Sequence, residues 1–91
     1  MSAWWVYIIR AESGKLYTGI STDVERRFRE HAGELGNGAR FFRGDPPAAI
    51  EYRERADDRA SASRREAEIK KLRRADKLLL IARHQQEVSL G

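Results

Sequence analysis

"VYIIRAESGKLYTGI", Val6 to Ile20, reads as one tight hairpin: an apolar run, a polar turn ending in glycine, and an apolar return. Glu12, Ser13 and Gly14 match the three-residue loop whose last residue is left-handed. With that loop, Ala11 faces Lys15 and Tyr7 faces Gly19. Opposed residues of an antiparallel pair share a face of the sheet, and so do residues two apart on one strand. Tyr7 and Tyr17 then lie on one side, diagonal neighbours across the ladder, with a gap left by Gly19. A two-residue loop would set the phenols on opposite faces. Glycine weakens a strand unless a close approach needs the space. The position of Gly19 therefore favours the three-residue loop and the shared face.

Outward from the hairpin, "WWVYII" is aromatic and β-branched on both faces, which predicts a central strand over 3–11 covered on both sides. Residues 15–20 form the return strand. "STDVERRFREHAG" predicts a helix over 22–33, with Thr22 and Glu25 as a capping box and Gly33 as the stop. Residues 34–48 hold glycines, a Pro-Pro pair and "ARFFR", and read as a basic, aromatic loop. A third strand follows over 48–55. Asp57 or Asp58 caps a second helix over 59–73. A third runs from Ala75 to Val88, with Ala75, Leu78, Leu79 and Ala82 as its apolar stripe. The order is ββαβαα. This predicts an α+β fold with a small three-stranded antiparallel sheet flanked by helices, in a single domain over 1–91.

The chain has 91 residues, 41% of them hydrophobic and 35% charged. Eighteen Lys and Arg against fourteen Asp and Glu leave a net charge of +4, which favours an anionic partner. There is no cysteine, so disulfides and cysteine-based zinc sites are excluded. No apolar run approaches the roughly 18 residues of a membrane span, and "MSAWWVYII" lacks the basic start of a secretion signal. These features predict a reduced, cytoplasmic domain with no membrane contact.

At 100° per residue, Val24, Phe28 and Leu35 define the buried side of the first helix. Arg27 and His31, one turn apart, fall at the edge of that side, whereas Arg26 and Arg29 point away. A half-buried guanidinium needs an anion, either a carboxylate or a phosphate. On the second helix Ile69 and Leu72 mark the inner face, and Glu66 and Glu68 each lie to one side of it. Spacing does not choose between these two acids. Arg59 to Lys77 holds eight Lys and Arg against three acids. That run, which includes Lys70, is either a solvated face or, with Arg40 and Arg43, a track for a phosphate backbone. Phe41 and Phe42 offer stacking or packing surface nearby.

"VYI" at 6–8 followed by "LYTGI" at 16–20 resembles the GIY-YIG nuclease domain. "DVERRFREH" at 23–31 looks like that family's first helix. "NGAR" at 37–40 and "REAEIKKLRRADKLLLI" at 65–81 look like its small single-domain bacterial branch, related to structure-specific endonuclease subunits. The resemblance implies a divalent-metal-dependent phosphodiesterase, using Mg²⁺ or Mn²⁺. Its site, carried over, comprises Tyr7, Tyr17, Arg27, His31 and Glu66, with Glu66 as the metal ligand and Gly19 in support. Lys15, Gly19, Arg40 and Lys70 are the expected substrate contacts. The implied substrate is DNA with branched, nicked or single-stranded features, with a protein partner as a further option. Tyr7 is expected to act as general base, its phenol acidified by Arg27, the cation and nearby lysines, while Tyr17 orients the water or phosphate; the two roles are interchangeable at this stage. Two departures stand out: Val6 replaces the glycine of the first motif, and the chain's only asparagine is Asn37, whereas relatives carry one late in the domain. The alternative is therefore a nucleic-acid-binding module of the same fold with weak or lost catalysis.

Overall fold

The computed structural model describes residues 3–33 and 44–90. Its elements are β1 (Trp4–Ala11), β2 (Leu16–Ser21), α1 (Val24–His31), β3 (Pro47–Ala56), α2 (Arg59–Lys70) and α3 (Arg74–Leu90). The strands form one antiparallel sheet in the order β2-β1-β3. This is the predicted ββαβαα order and the predicted α+β class. The expected loop residues Leu35, Asn37, Arg40, Phe41, Phe42 and Arg43 lie outside the described residues.

The hairpin register is the one its loop length demands. Tyr7 pairs with Gly19 and Ile9 with Tyr17. The Ala11 amide donates to the Lys15 carbonyl at 2.9 Å, and Gly14 takes a left-handed φ of 96° to close the turn. As the middle strand, β1 is buried on both faces. Val6 and Ile8 pack with Tyr52, Ala62, Ile69 and Ile81 under α2 and α3. Tyr7, Ile9 and Ala11 pack on the other side with Val24 of α1. No helix among the described residues is long and apolar enough to cross a membrane.

Three local expectations change. First, α1 is capped by Asp23, not Thr22. Asp23 Oδ1 accepts from the Arg26 amide at 3.1 Å, and Ser21 Oγ accepts from the Asp23 amide at 3.0 Å. Aspartate caps as well as threonine does, and one residue later it leaves Glu25 free to pair with Arg53. Second, α2 starts on the Asp58 cap, whose carboxylate accepts from the Ser61 amide at 2.8 Å, but ends at Lys70 rather than 73. Leu72 then falls beyond the helix and is 37% exposed. Third, the predicted stripe of α3 faces outward: Leu78 and Leu79 are 44% and 57% exposed. The inner line is Lys77, Leu80, Ile81 and His84, with Ile81 in the core and the His84 ring edge-on to Tyr52 at 5.0 Å. Lysine and histidine cover apolar surface with their stems and ring bodies, so a stripe counted in leucines alone misses them.

Candidate nuclease site

The gap at Gly19 is filled by Tyr7. A methyl group built on Gly19 would lie 2.5 Å from Tyr7 Oη and 2.6 Å from Cζ. Only the absence of a side chain lets the ring lie across β2. Tyr7 is 1% exposed. Tyr17 packs against the same cluster, so the two phenols do share a face. The Tyr17 ring meets His31 edge-on at 5.4 Å, and Tyr7 Oη stands 3.3 Å from His31 Nε2.

From α1, Arg27 reaches Tyr7 Oη with its guanidinium and binds Glu30 Oε2 at 3.0 Å. Its side chain is 41% exposed. Arg26 is exposed, and its pairing with the same Glu30 is a looser 3.5 Å. Glu30 was not among the residues picked out by sequence. Its spacing of three and four from the two arginines was the available signal. Arg27 also lines an open cleft of about 310 Å³ with Trp4, Ile20, Ser21 and Arg26, at the point where β2 runs into α1.

A guanidinium only donates, so Arg27 can act on Tyr7 Oη only as a donor, which leaves the phenol hydrogen available to His31 Nε2 at 3.3 Å. Burial pushes the Tyr7 phenol up to about 12; Arg27 pulls it down, and the charges of Tyr17 and Glu66 push it further up. The expected acidification by neighbours is therefore outweighed by desolvation, and Tyr7 is a neutral phenol at pH 7. His31 moves the other way. Burial first, then the Arg27 charge, holds it below the ordinary histidine range, against the pull of Glu30. For Arg27, burial alone would lower the pKa, but the Tyr7 and Glu30 bonds overcome it and keep the guanidinium firmly charged.

Glu66 and Glu68 differ in their surroundings. Glu66 is the acid whose charge acts on Tyr7, and its side chain is 23% exposed. Glu68 is 65% exposed and pairs with Arg65 at 3.7 Å. Glu66 Oε2 lies 3.5 Å from Lys70 Nζ, so Lys70 enters as a partner of that carboxylate. Lys15 stands apart at the hairpin end of β2. Arg40 is outside the described residues. Among the described residues no group of three or more His, Asp or Glu stands together to hold a metal.

The model of the GIY-YIG catalytic domain matches residues 3–79 of this chain. The chain belongs to the GIY-YIG family, a nuclease fold. Within it, the chain is 42% identical over 85 residues to UPF0213 protein SG0387 of Sodalis glossinidius, covering 93% of this chain and 78% of that one. It is 40% identical over 82 residues to UPF0213 protein YhbQ of Escherichia coli O8, covering 90% and 80%. The solution NMR structure of UPF0213 protein BH0048 from Bacillus halodurans is 35% identical, with a TM-score of 0.50 over 98% of this chain and 85% of that one.

Proposed function

We propose that this protein is a divalent-metal-dependent endonuclease that hydrolyses DNA phosphodiesters, reading backbone shape in branched, nicked or single-stranded features rather than base sequence. The observation that carries this reading is the Tyr7 hydroxyl. It faces His31 Nε2 at 3.3 Å, lies beside the Arg27 guanidinium, and is in reach of the Glu66 charge. A single part-exposed carboxylate fits Mg²⁺ or Mn²⁺, hard ions that keep most of their water; zinc asks for more protein ligands. Bound at Glu66, such an ion would supply charge neutralisation at the phosphate and at the leaving oxygen.

The chain's own groups supply the rest. Arg27 holds a non-bridging phosphate oxygen and stabilises the charge that grows there in the transition state. Tyr7 Oη has a second lone pair for the attacking water. As the water oxygen forms its bond to phosphorus, its proton passes to Tyr7 Oη, the proton already on Tyr7 passes to His31 Nε2, and the phosphorus–oxygen bond to the leaving strand end breaks, its oxygen taking a proton from solvent. The phenol need not ionise beforehand, so a value of about 12 is no obstacle. The imidazolium then returns its proton to solvent. Tyr17, against the His31 ring, keeps that ring aimed.

The test is cleavage of a panel of single-stranded, nicked, flapped and branched DNA with Mg²⁺ or Mn²⁺, against an EDTA control. Metal-dependent cuts support the reading; DNA binding without cuts favours the binding-module alternative.

The relay also fixes a pH dependence. His31 accepts a proton only as neutral imidazole, and its folded pKa is below 6.5. Cleavage is expected to hold above pH 6.5 and fall as pH drops through that lowered value. Stability follows the same sign: the unfolded chain binds the His31 proton first, so folding loses stability over the same acid window. His31→Asn should remove the acid limb from the kcat/KM profile and slow cleavage by about 10²-fold. An unchanged limb in that variant would assign it to another group.

A further inference from the structure

The far end of β2 carries a second cleft, of about 210 Å³, between the hairpin and the start of α3. Lys15, Leu16, Arg74 and Lys77 line it. Three of its four walls are cations, and no carboxylate is among them. None of the three cations has an ion pair within 4 Å among the described residues. Asp45 is in electrostatic reach of Lys15, and that carboxylate is held by Ser13 through its backbone and hydroxyl at 3.0 and 2.6 Å. Lys77 is half-buried, on the inner line of α3, and the Arg74 guanidinium reaches over Gly14. Lys15 and Arg74 are exposed, so water screens their mutual repulsion, and an anion entering the hollow would meet three cations at once.

The position of the hollow narrows which anion. It lies on the edge strand that carries the candidate site, four residues from Gly19, or about 13 Å along the strand. That distance is about four phosphates of axial rise in a B-form strand at 3.4 Å each, and fewer in an extended one. The α2 helix, which carries Glu66 and Lys70, packs against the same strand. We infer that the Lys15–Arg74–Lys77 cleft holds a backbone phosphate two to four nucleotides from the one cleaved, so that the nucleic-acid strand runs along the β2 edge. This rests on the nuclease reading for the identity of the site, but not for the phosphate contact itself. It assigns Arg74 and Lys77, almost sixty residues from Lys15 in sequence, to substrate positioning.

The experiment has two arms. In EDTA, DNA binding by the Glu66→Gln protein is compared with that of a version also carrying Lys15→Ala, Arg74→Ala and Lys77→Ala, across a salt series, with circular dichroism as the folding check. The triple substitution is expected to weaken binding at least tenfold and to lower the salt slope by about 1. In the second arm, single phosphates of the best-cut DNA are replaced by uncharged methylphosphonates around the mapped cut. Neutralising one phosphate two to four nucleotides away, on one side only, should reproduce the loss, and should have no effect in the triple variant. Cutting by the parent with neither effect present overturns the cleft assignment and leaves the nuclease reading standing. Binding through the cleft without any cutting supports the cleft and overturns the nuclease reading. A parent that neither binds nor cuts DNA overturns both.

Discussion

Glu66→Gln is expected to lower metal-dependent DNA cleavage by about 10³-fold while leaving the protein folded. The change keeps the volume and one carbonyl oxygen of the side chain and removes only the charge. That charge would hold the cation, and a neutral amide is a poor ligand for a hard ion that has to give up water to bind. The loss of electrostatic stabilisation at a phosphoryl centre is worth a factor of this order. Stability should barely move. The carboxylate is part-exposed and its one recorded pair, to Lys70 at 3.5 Å, is a surface contact worth about 0–1 kcal/mol. Removing Glu66 also takes away a charge that raises the Tyr7 phenol, so the Tyr7 titration, followed by nuclear magnetic resonance of its own ring because Tyr52 is raised to the same range, should shift down from about 12. That shift is a readout independent of activity. Arg27→Ala should cost at least as much cleavage, and Arg27→Lys should not restore it, because an ammonium cannot bind Tyr7, Glu30 and a phosphate with one planar fork. Cleavage at the parental rate in Glu66→Gln would sink the assignment.

Gly19→Ala should damage both activity and stability through a single methyl group. The backbone at Gly19 does not have a positive φ, so alanine fits there without strain. The obstacle is Tyr7, whose Oη and Cζ stand 2.5 and 2.6 Å from the new Cβ. The ring has little room to yield, because it is 1% exposed and packed with Ile9 and Val24. Overpacking of this kind costs about 1–3 kcal/mol. The displaced hydroxyl would leave both Arg27 and His31, so cleavage should fall by about 10²-fold or more even where the variant remains folded. Tyr7→Phe on top of Gly19→Ala removes the closest atom but not Cζ, so it should recover only part of the stability. Gly33 is the control. It has a φ of 83° and nothing within 4 Å of an added Cβ. Gly33→Ala should therefore lower the melting temperature through backbone strain alone, with cleavage at the parental rate in the folded protein. Equal activity losses in Gly19→Ala and Gly33→Ala would remove the special role given to the Tyr7–Gly19 contact.

Much of the frame was legible because its causes are local. The loop length of 12–14 sets the pairing of Tyr7 with Gly19, and a period of two does the rest. Arg27 could be told from Arg26 and Arg29 because 100° per residue puts only one of the three beside the Val24 and Phe28 face. The helix ends were less secure. Thr22 and Asp23 are both good caps, and the choice fell to Asp23, which the Ser21 hydroxyl brackets. The α3 stripe went wrong for a different reason. Two lines of that helix are nearly equally apolar, and the one that turns inward is the one whose lysine and histidine find room beneath them.

By itself, then, the sequence determined the strand register, the shared face of the two tyrosines, the element order and the arginine that turns inward. These follow from turn chemistry and periodicity, which act over a few residues. Only the tertiary structure decided that the Glu66 charge rather than that of Glu68 acts on the Tyr7 phenol, that burial outweighs Arg27 in setting the Tyr7 proton, and that Arg74 and Lys77 meet Lys15 in one hollow. Each of these depends on how segments far apart in the chain exclude water from one another, and desolvation and long-range contact have no signature in a local pattern.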